Sequence, residues 1–255
     1  MARIAVAATA PFGADVLERL AAKHDVVQLL TREDAPRGRG RKVAPSAAKE
    51  AAERLGIPVT YDRDELAADT VVVCAYGRLI PESALERALW LNVHPSLLPR
   101  WRGAAPVERA LMAGDRRTGV TIHRTTKELD AGPIAAQEGF DVGPEDDAGV
   151  VYARSAEVAV RLLDDVLAHP TFTAQSDEGV TYAEKITAAD RELDLSRPAQ
   201  ELANRVRALS PHIGARLDGL IVWKARIEND AFVPVEVQPA GGKRMPYEAY
   251  LRGRR

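Results

Sequence analysis

Apolar residues come in two rhythms through the first half of the chain. Arg3-Ile-Ala-Val-Ala-Ala8, Val26-Val-Gln-Leu-Leu30, Ile57-Pro-Val-Thr60, Thr70 to Ala75 and Leu91-Asn-Val93 are short, nearly continuous runs of strand length. Between them lie stretches with a helical period: Ala14 to Ala21, whose Val16, Leu17 and Leu20 share one face, a segment with Ser46 as N-cap and Gly56 as its stop, and residues 82–89. Strand alternating with helix is the pattern of βαβ units, so the fold class is expected to be α/β with a doubly wound, mostly parallel, Rossmann-like sheet.

Beyond His94 the rhythm loosens. A helix is expected over 105–113, strands over Gly119-Val-Thr-Ile-His123 and Pro133-Ile-Ala-Ala-Gln137, and a long amphipathic helix from about Asp147 to His169. Residues 170–195 carry few periodic signals and read as a linker, after which Ser196 is expected to cap a helix from Arg197 to Leu209. The chain thus divides into a domain of 1–190 and a small segment of 195–255.

Composition narrows the class. The 255 residues are 46% apolar and 28% charged, and no run approaches the ~18 apolar residues of a membrane span, so a soluble, cytoplasmic protein is expected. The single cysteine, Cys74, lies in an apolar run and reads as core, and five histidines without zinc spacing give no metal site. The net charge of −2 hides an asymmetry, because residues 195–255 hold eleven Lys and Arg against six Asp and Glu. A basic tail on an acidic body fits a polyanion partner and equally a solvated surface.

Chemistry concentrates at one strand end. Asn92 and His94 are two residues apart, so they share a strand face, and Pro95 keeps His94 extended at the carboxyl edge of the sheet. An amide donor beside an imidazole suits acyl chemistry, with an oxyanion to bind and a proton to move. The same pair also serves as a turn-forming Asn and a satisfied structural His. Asp130, in the tight turn Leu129-Asp-Ala-Gly-Pro133, is either a turn former or the carboxylate that orients His94. The loop Pro36-Arg-Gly-Arg-Gly-Arg-Lys42 carries four positive charges and matches no nucleotide-binding motif, leaving phosphate contact and simple solvation open.

The run Asn92-Val-His-Pro-Ser-Leu-Leu-Pro-Arg-Trp-Arg-Gly-Ala-Ala-Pro106 closely resembles the signature of the folate-dependent formyltransferases, and its second half that of the methionyl-tRNA formyltransferase family. The likeness continues in order through Asp34-x-Pro-x-Gly-Arg-Gly-x-Lys42, Ala75-Tyr-Gly-x-x-Ile-Pro81, Gly119-Val-Thr-Ile122, Leu129-Asp-x-Gly132, Tyr182-Ala-x-Lys-Ile-Thr187 and Gln238-Pro-Ala-Gly-x-Lys-Arg-Met245. The resemblance implies transfer of a formyl group from 10-formyltetrahydrofolate to the α-amino group of methionyl initiator tRNA by a monomer, without metal. It implies a catalytic trio of Asn92, protonated His94 and Asp130. Arg78, Leu79, Ile80, Ser96, Leu97, Leu98 and Pro99 would line the folate site. Arg39, Arg41, Lys42, Lys224, Arg226, Lys243 and Arg244 would contact tRNA.

Three departures stand out. The first loop reads Ala8-Thr-Ala-Pro-Phe12 where the family usually has Gly-Thr-Pro-x-Phe, and Asp130 is followed by Ala-Gly-Pro, as in the glycinamide ribonucleotide branch. The family's C-terminal β-barrel has room here only in shortened form, with middle strands missing between Ile227 and Phe232. Two other readings follow: the same trio acting on a small amine such as glycinamide ribonucleotide or an amino sugar, and an inactive RNA-binding module.

Overall fold

The computed structural model describes residues 1–37 and 42–253. The chain enters on β1 (Arg3–Ala8) and α1 (Pro11–Ala21), then β2 (Asp25–Leu30), a ribbon of β3 (Ala35–Arg37) and β4 (Lys42–Ala44), α2 (Ala47–Leu55), β5 (Val59–Thr60), β6 (Thr70–Cys74), α3 (Glu82–Leu85) and β7 (Leu89–His94). β8 (Arg102–Gly103), α4 (Pro106–Met112), β9 (Arg117–Arg124), β10 (Ile134–Asp141) and α5 (Ala148–Ala168) follow. After β11 (Tyr182–Ala183) come α6 (Ala199–Leu209), β12 (Ala215–Leu217), β13 (Leu220–Glu228), β14 (Ala231–Gln238), β15 (Met245–Pro246) and α7 (Tyr247–Arg252).

Seven strands form the main sheet in the order β10-β9-β7-β6-β1-β2-β5. From β5 to β7 the neighbours are parallel, and β9 pairs antiparallel with β7. The chain runs outward from β1 to β2 and β5, then returns to β6 on the other side of β1. Ligands of open α/β sheets bind at the strand carboxyl ends beside such a reversal. Gly13 lets α1 begin hard against both central strands, since a Cβ there would lie 2.4 Å from the Cys74 carbonyl oxygen and 2.8 Å from the Ala8 Cβ. The sheet's buried strands carry the core, where Ala5, Ala7, Leu30, Val71, Val73 and Trp90 pack together and the Trp90 indole donates to the Ala84 carbonyl at 2.8 Å.

Two compact units can be distinguished. One comprises Met1–Arg102, Gly119–Gly139 and Ala153–Thr181, and the other Gly103–Thr118, Phe140–Tyr152 and Tyr182–Arg255, so the units interleave along the chain. Within the second, α6 buries apolar residues on two sides. Leu202, Val206 and Leu209 pack with Val222 and Val237 of the antiparallel sheet β12-β13-β14-β15, and Ala208 joins Val107 and Leu111 of α4 with Ala148 and Val151.

The tail sheet has four strands and stays open. β13 and β14 pair directly from Glu228 opposite Ala231, joined by Asn229 and Asp230, both left-handed at φ 49° and 60°. Two left-handed residues make the type I′ turn whose twist matches a hairpin, so β13 runs directly into β14. The expected shortening between Ile227 and Phe232 is therefore a two-residue turn.

Some local expectations move. α1 starts at Pro11, whose fixed φ suits the first helical position, rather than at Ala14. The helix expected over 82–89 is the single turn α3, because the chain is already in β7 at Leu89. Ser46 and Gly56 cap α2 as expected. Ser196 does not cap α6: its hydroxyl donates to Asp194 at 2.7 Å and Pro198 occupies the N-cap. No helix among the described residues is long and apolar enough to cross a membrane.

Two substitutions test these constraints. Asp230→Gly should raise stability by about 0.5–1 kcal/mol, because glycine takes the left-handed turn without a Cβ penalty. Gly13→Ala should lower it by about 1–3 kcal/mol through overpacking. Urea unfolding midpoints measure both.

Candidate active site

Alternation along β7 puts Asn92 and His94 on one face, and antiparallel pairing with β9 sets Asn92 opposite His123 and His94 opposite Thr121. Asp130 enters from the turn between β9 and β10. That turn is tight: Asp130 is left-handed at φ 48°, and a Cβ on Gly132 would lie 1.8 Å from the Arg124 carbonyl oxygen. Glycine at 132 is what lets the turn close onto β9.

The polar atoms form one network. Carbonyl oxygens only accept, so His94 Nε2 carries a hydrogen and donates to the Trp101 oxygen at 2.8 Å, and His123 Nδ1 donates to the Arg124 oxygen at 3.1 Å. His123 Nε2 then accepts from Asn92 Nδ2 at 3.0 Å, and the second amide hydrogen of Asn92 points to Asp130 Oδ1 at 3.2 Å. His94 Nδ1 is left with its lone pair 3.6 Å from Asp130 Oδ2. A single proton between those two atoms would turn the contact into a charged hydrogen bond.

Burial decides the resting charge. The His94 and Asp130 side chains are 5% and 13% exposed. Burial pushes the His94 imidazole below its ordinary value, Asp130 opposes the shift, His123 adds to it and the Trp101 carbonyl opposes it. The protonated His94 expected at the transition state is not the form that burial favours at rest: desolvation outweighs the carboxylate and favours the neutral ring. Asn92 is likewise engaged, because both its amide hydrogens already have acceptors.

The loop after β7 is held from below. The Thr121 hydroxyl donates to the Ser96 oxygen at 2.7 Å and accepts from the Leu98 N–H at 3.1 Å and Gln137 Nε2 at 2.8 Å. Ser96 is fully buried with its hydroxyl donated to the Arg100 oxygen, and Leu98 is buried, so these two sequence-derived folate residues shape the loop through its core side. Leu97 and Pro99 are half-buried. On the neighbouring loop after β6, Arg78 is exposed, Leu79 is 86% exposed, and Ile80 packs on the sheet core.

The basic residues are only in part within view. Arg39 and Arg41 lie outside the described residues, and Lys42 opens β4. Lys224, Arg226, Lys243 and Arg244 are exposed in the second unit. Arg226 pairs with Glu228 at 2.9 Å, while Arg244 lies 3.6 Å over the Trp223 ring and donates to the Pro211 oxygen at 2.9 Å. Sequence reasoning missed His123, Thr121 and Gln137. Their role depends on strand register; for Thr121 and His123 the visible signal was a polar residue at alternate positions of the strand containing Gly119-Val-Thr-Ile-His123, and Gln137 lies on the neighbouring β10.

Comparison with known proteins adds a family. Residues 2–167 match the family model described as formyl transferase. A methionyl-tRNA formyltransferase from Paracoccus denitrificans is 41% identical over 229 residues, covering 84% of this chain and 77% of that protein. One from Bordetella pertussis is 38% identical over 308 aligned positions, covering 98% of this chain and 99% of the relative, so the relative carries residues that this chain lacks. Among solved structures, an N-formyltransferase from Helicobacter canadensis in complex with folinic acid and dTDP-3-aminofucose superposes with a TM-score of 0.71 at 17% identity, covering 90% of this chain and 89% of that one.

The buried neutral imidazole has a consequence for stability. A ring whose folded pKa lies below its ordinary value of 6.5 contributes stability that is present above 6.5 and lost as pH falls through the lower folded value. Between pH 7.5 and 5 the thermal midpoint of the wild type should fall further than that of His94→Gln, as read by calorimetry.

Proposed function

The chain belongs to the formyl transferase family, and from that membership we infer that it transfers a formyl group to the α-amino group of methionyl-tRNA. The relatives at 38% and 41% identity carry that name, and one of them aligns with nearly the whole chain. The donor in this reading is 10-formyltetrahydrofolate. A folate compound accompanies the H. canadensis enzyme, and the run Asn92 to Pro106 is the one that resembles folate-dependent formyltransferases.

The observation that carries the reading is the convergence of Asn92, His94 and Asp130 within 3.6 Å of one another through Asp130. Attack of the methionyl amine on the formyl carbon makes a carbon–nitrogen bond, an oxyanion and a positively charged nitrogen. The nitrogen must shed a proton before N10 of the folate leaves with the bonding pair and takes up a proton. Neutral His94 Nδ1 and Asp130 form a site that can accept that proton, and the imidazolium arises during the reaction. As the carboxylate's charge is partly neutralised, its hold on the Asn92 amide weakens and that hydrogen is released to the oxyanion. The charge that appears on the amine thus prepares the donors for the charge that appears on oxygen.

The tRNA would be met by Arg39, Arg41 and Lys42 of the basic loop and by Lys224, Arg226 and Lys243 of the tail sheet. Arg244 serves this surface by stacking on Trp223, holding the β13 side of the sheet in place. Catalysis would thus rest on Asn92, His94 and Asp130 of the first unit, and tRNA contact would be shared by the basic loop and the tail sheet.

A formylation assay with charged initiator tRNA, glycinamide ribonucleotide and a dTDP-amino sugar separates the readings. Only the tRNA should be formylated, and turnover on a small amine alone would reject the assignment. Asp130→Asn should cut kcat by about 100- to 1,000-fold while folate affinity stays within about twofold. Charge reversal at Lys224, Arg226 and Lys243 should raise KM for tRNA and flatten its salt dependence with folate binding unchanged. Deleting 195–255 is a poorer test, because it strips α6 from the core of its own unit.

A further inference from the structure

The segment after α5, from Thr173 to Thr181, has no periodic sequence pattern and reads as a linker. It nevertheless contacts both sides of the candidate active site. Thr173 exchanges two backbone hydrogen bonds with Ile134, at 2.7 and 2.9 Å, which ties the segment to the start of β10 just beyond the Asp130 turn. Gln175 is half-buried beside that turn. Its amide nitrogen donates to the Asp130 carbonyl oxygen at 2.8 Å and to the Gly132 carbonyl oxygen at 2.7 Å. Its own oxygen accepts from Arg102 Nη2 at 2.7 Å and Nε at 3.2 Å. All four bonding positions of the Gln175 amide are filled, two toward the turn and two toward the arginine.

At its other end the segment meets the carbonyl that holds His94. The Thr181 hydroxyl accepts from the Trp101 N–H at 2.9 Å, and the Thr181 carbonyl accepts from the Arg102 N–H at 2.9 Å. Trp101 is left-handed, at φ 66°. A non-glycine residue stays in that region only when its surroundings over-determine it. Here the conformation aims the Trp101 carbonyl at His94 Nε2, which sets the tautomer that leaves Nδ1 toward Asp130.

We propose that residues 173–181 are a strap that sets the His94 to Asp130 geometry, with Gln175 and Thr181 as positioning residues. Gln175 fixes the carboxylate by clamping the carbonyls of its turn, and Thr181 fixes the imidazole through Trp101. Arg102 joins the two clamps, which gives that member of the Arg-Trp-Arg-Gly run a role in the active site without contact to the reacting atoms. This inference rests on the catalytic reading of His94 and Asp130 given above.

The test uses full-length Gln175→Glu, Thr181→Val and Thr181→Ser in the formylation assay. Gln175→Glu keeps the arginine partner but turns a carboxylate oxygen toward two carbonyls, and Thr181→Val keeps the shape but removes the acceptor. Each should lower kcat by roughly 10- to 100-fold with folate KM within about twofold, the scale of a misplacement on the order of 1 Å. Each should also move the acid limb of the kcat–pH profile by about half a unit or more, because the imidazole and carboxylate change distance. Thr181→Ser should restore both. An unmoved acid limb in the two variants, whatever happens to kcat or thermal midpoint, overturns the proposal, as does equal loss in Thr181→Ser and Thr181→Val. If Gln175→Glu does not fold, Gln175→Met of equal length takes its place. His94→Asn and Asp130→Asn run in parallel: full turnover in those would reject the catalytic reading itself, whereas their loss beside unaffected strap variants rejects only the strap.

Discussion

A carboxylate among two imidazoles and an amide, nearly closed off from water, is the feature on which the rest of the site depends. Removing such a charge from solvent is costly unless hydrogen bonds replace the water. Asp130 receives the Asn92 amide on one oxygen and faces the His94 lone pair with the other. The second contact is unfavourable until a proton arrives, so the free site is arranged around a missing proton. A flexible turn would relax away from it. The left-handed backbone at 130 and the bare Cα at Gly132, pressed against the β9 backbone, leave the turn little freedom to do so.

The strand register connects that turn to Asn92 and His94. Because β9 runs antiparallel to β7, His123 lands opposite Asn92 and Thr121 opposite His94, so each of the two polar side chains of β7 has a buried neighbour on the next strand. His123 presents an acceptor to Asn92 and thereby orients the amide, while Thr121 anchors the loop that begins at Pro95. The short segment that joins β9 to its sheet neighbour β10 carries Asp130 back toward this pair.

The second unit solves a different problem. A small sheet exposes two edges and needs a cover for one face. Here α6 provides the cover, with Val206 and Leu209 against Val222 and Val237, and it is itself held on its other side by α4. The Asn229-Asp230 hairpin makes this compact arrangement possible, with a four-stranded sheet as its result.

Much of this was legible in one dimension. The alternation of apolar runs and helical periods specified the parallel sheet, because a strand buried on both faces has to be apolar throughout. Ser46 and Gly56 marked α2 because capping is local chemistry. Asn92 and His94 stood out because a period of two places them together on any strand. Other features belong to the tertiary structure. The pairing of His123 with Asn92 is a matter of register, and the downward shift of the His94 imidazole is a matter of burial, which no spacing reveals. Gln175 lies 45 residues from the turn that it clamps, in a segment with no period of its own, and only the path of the chain after α5 brings its amide to those two carbonyls.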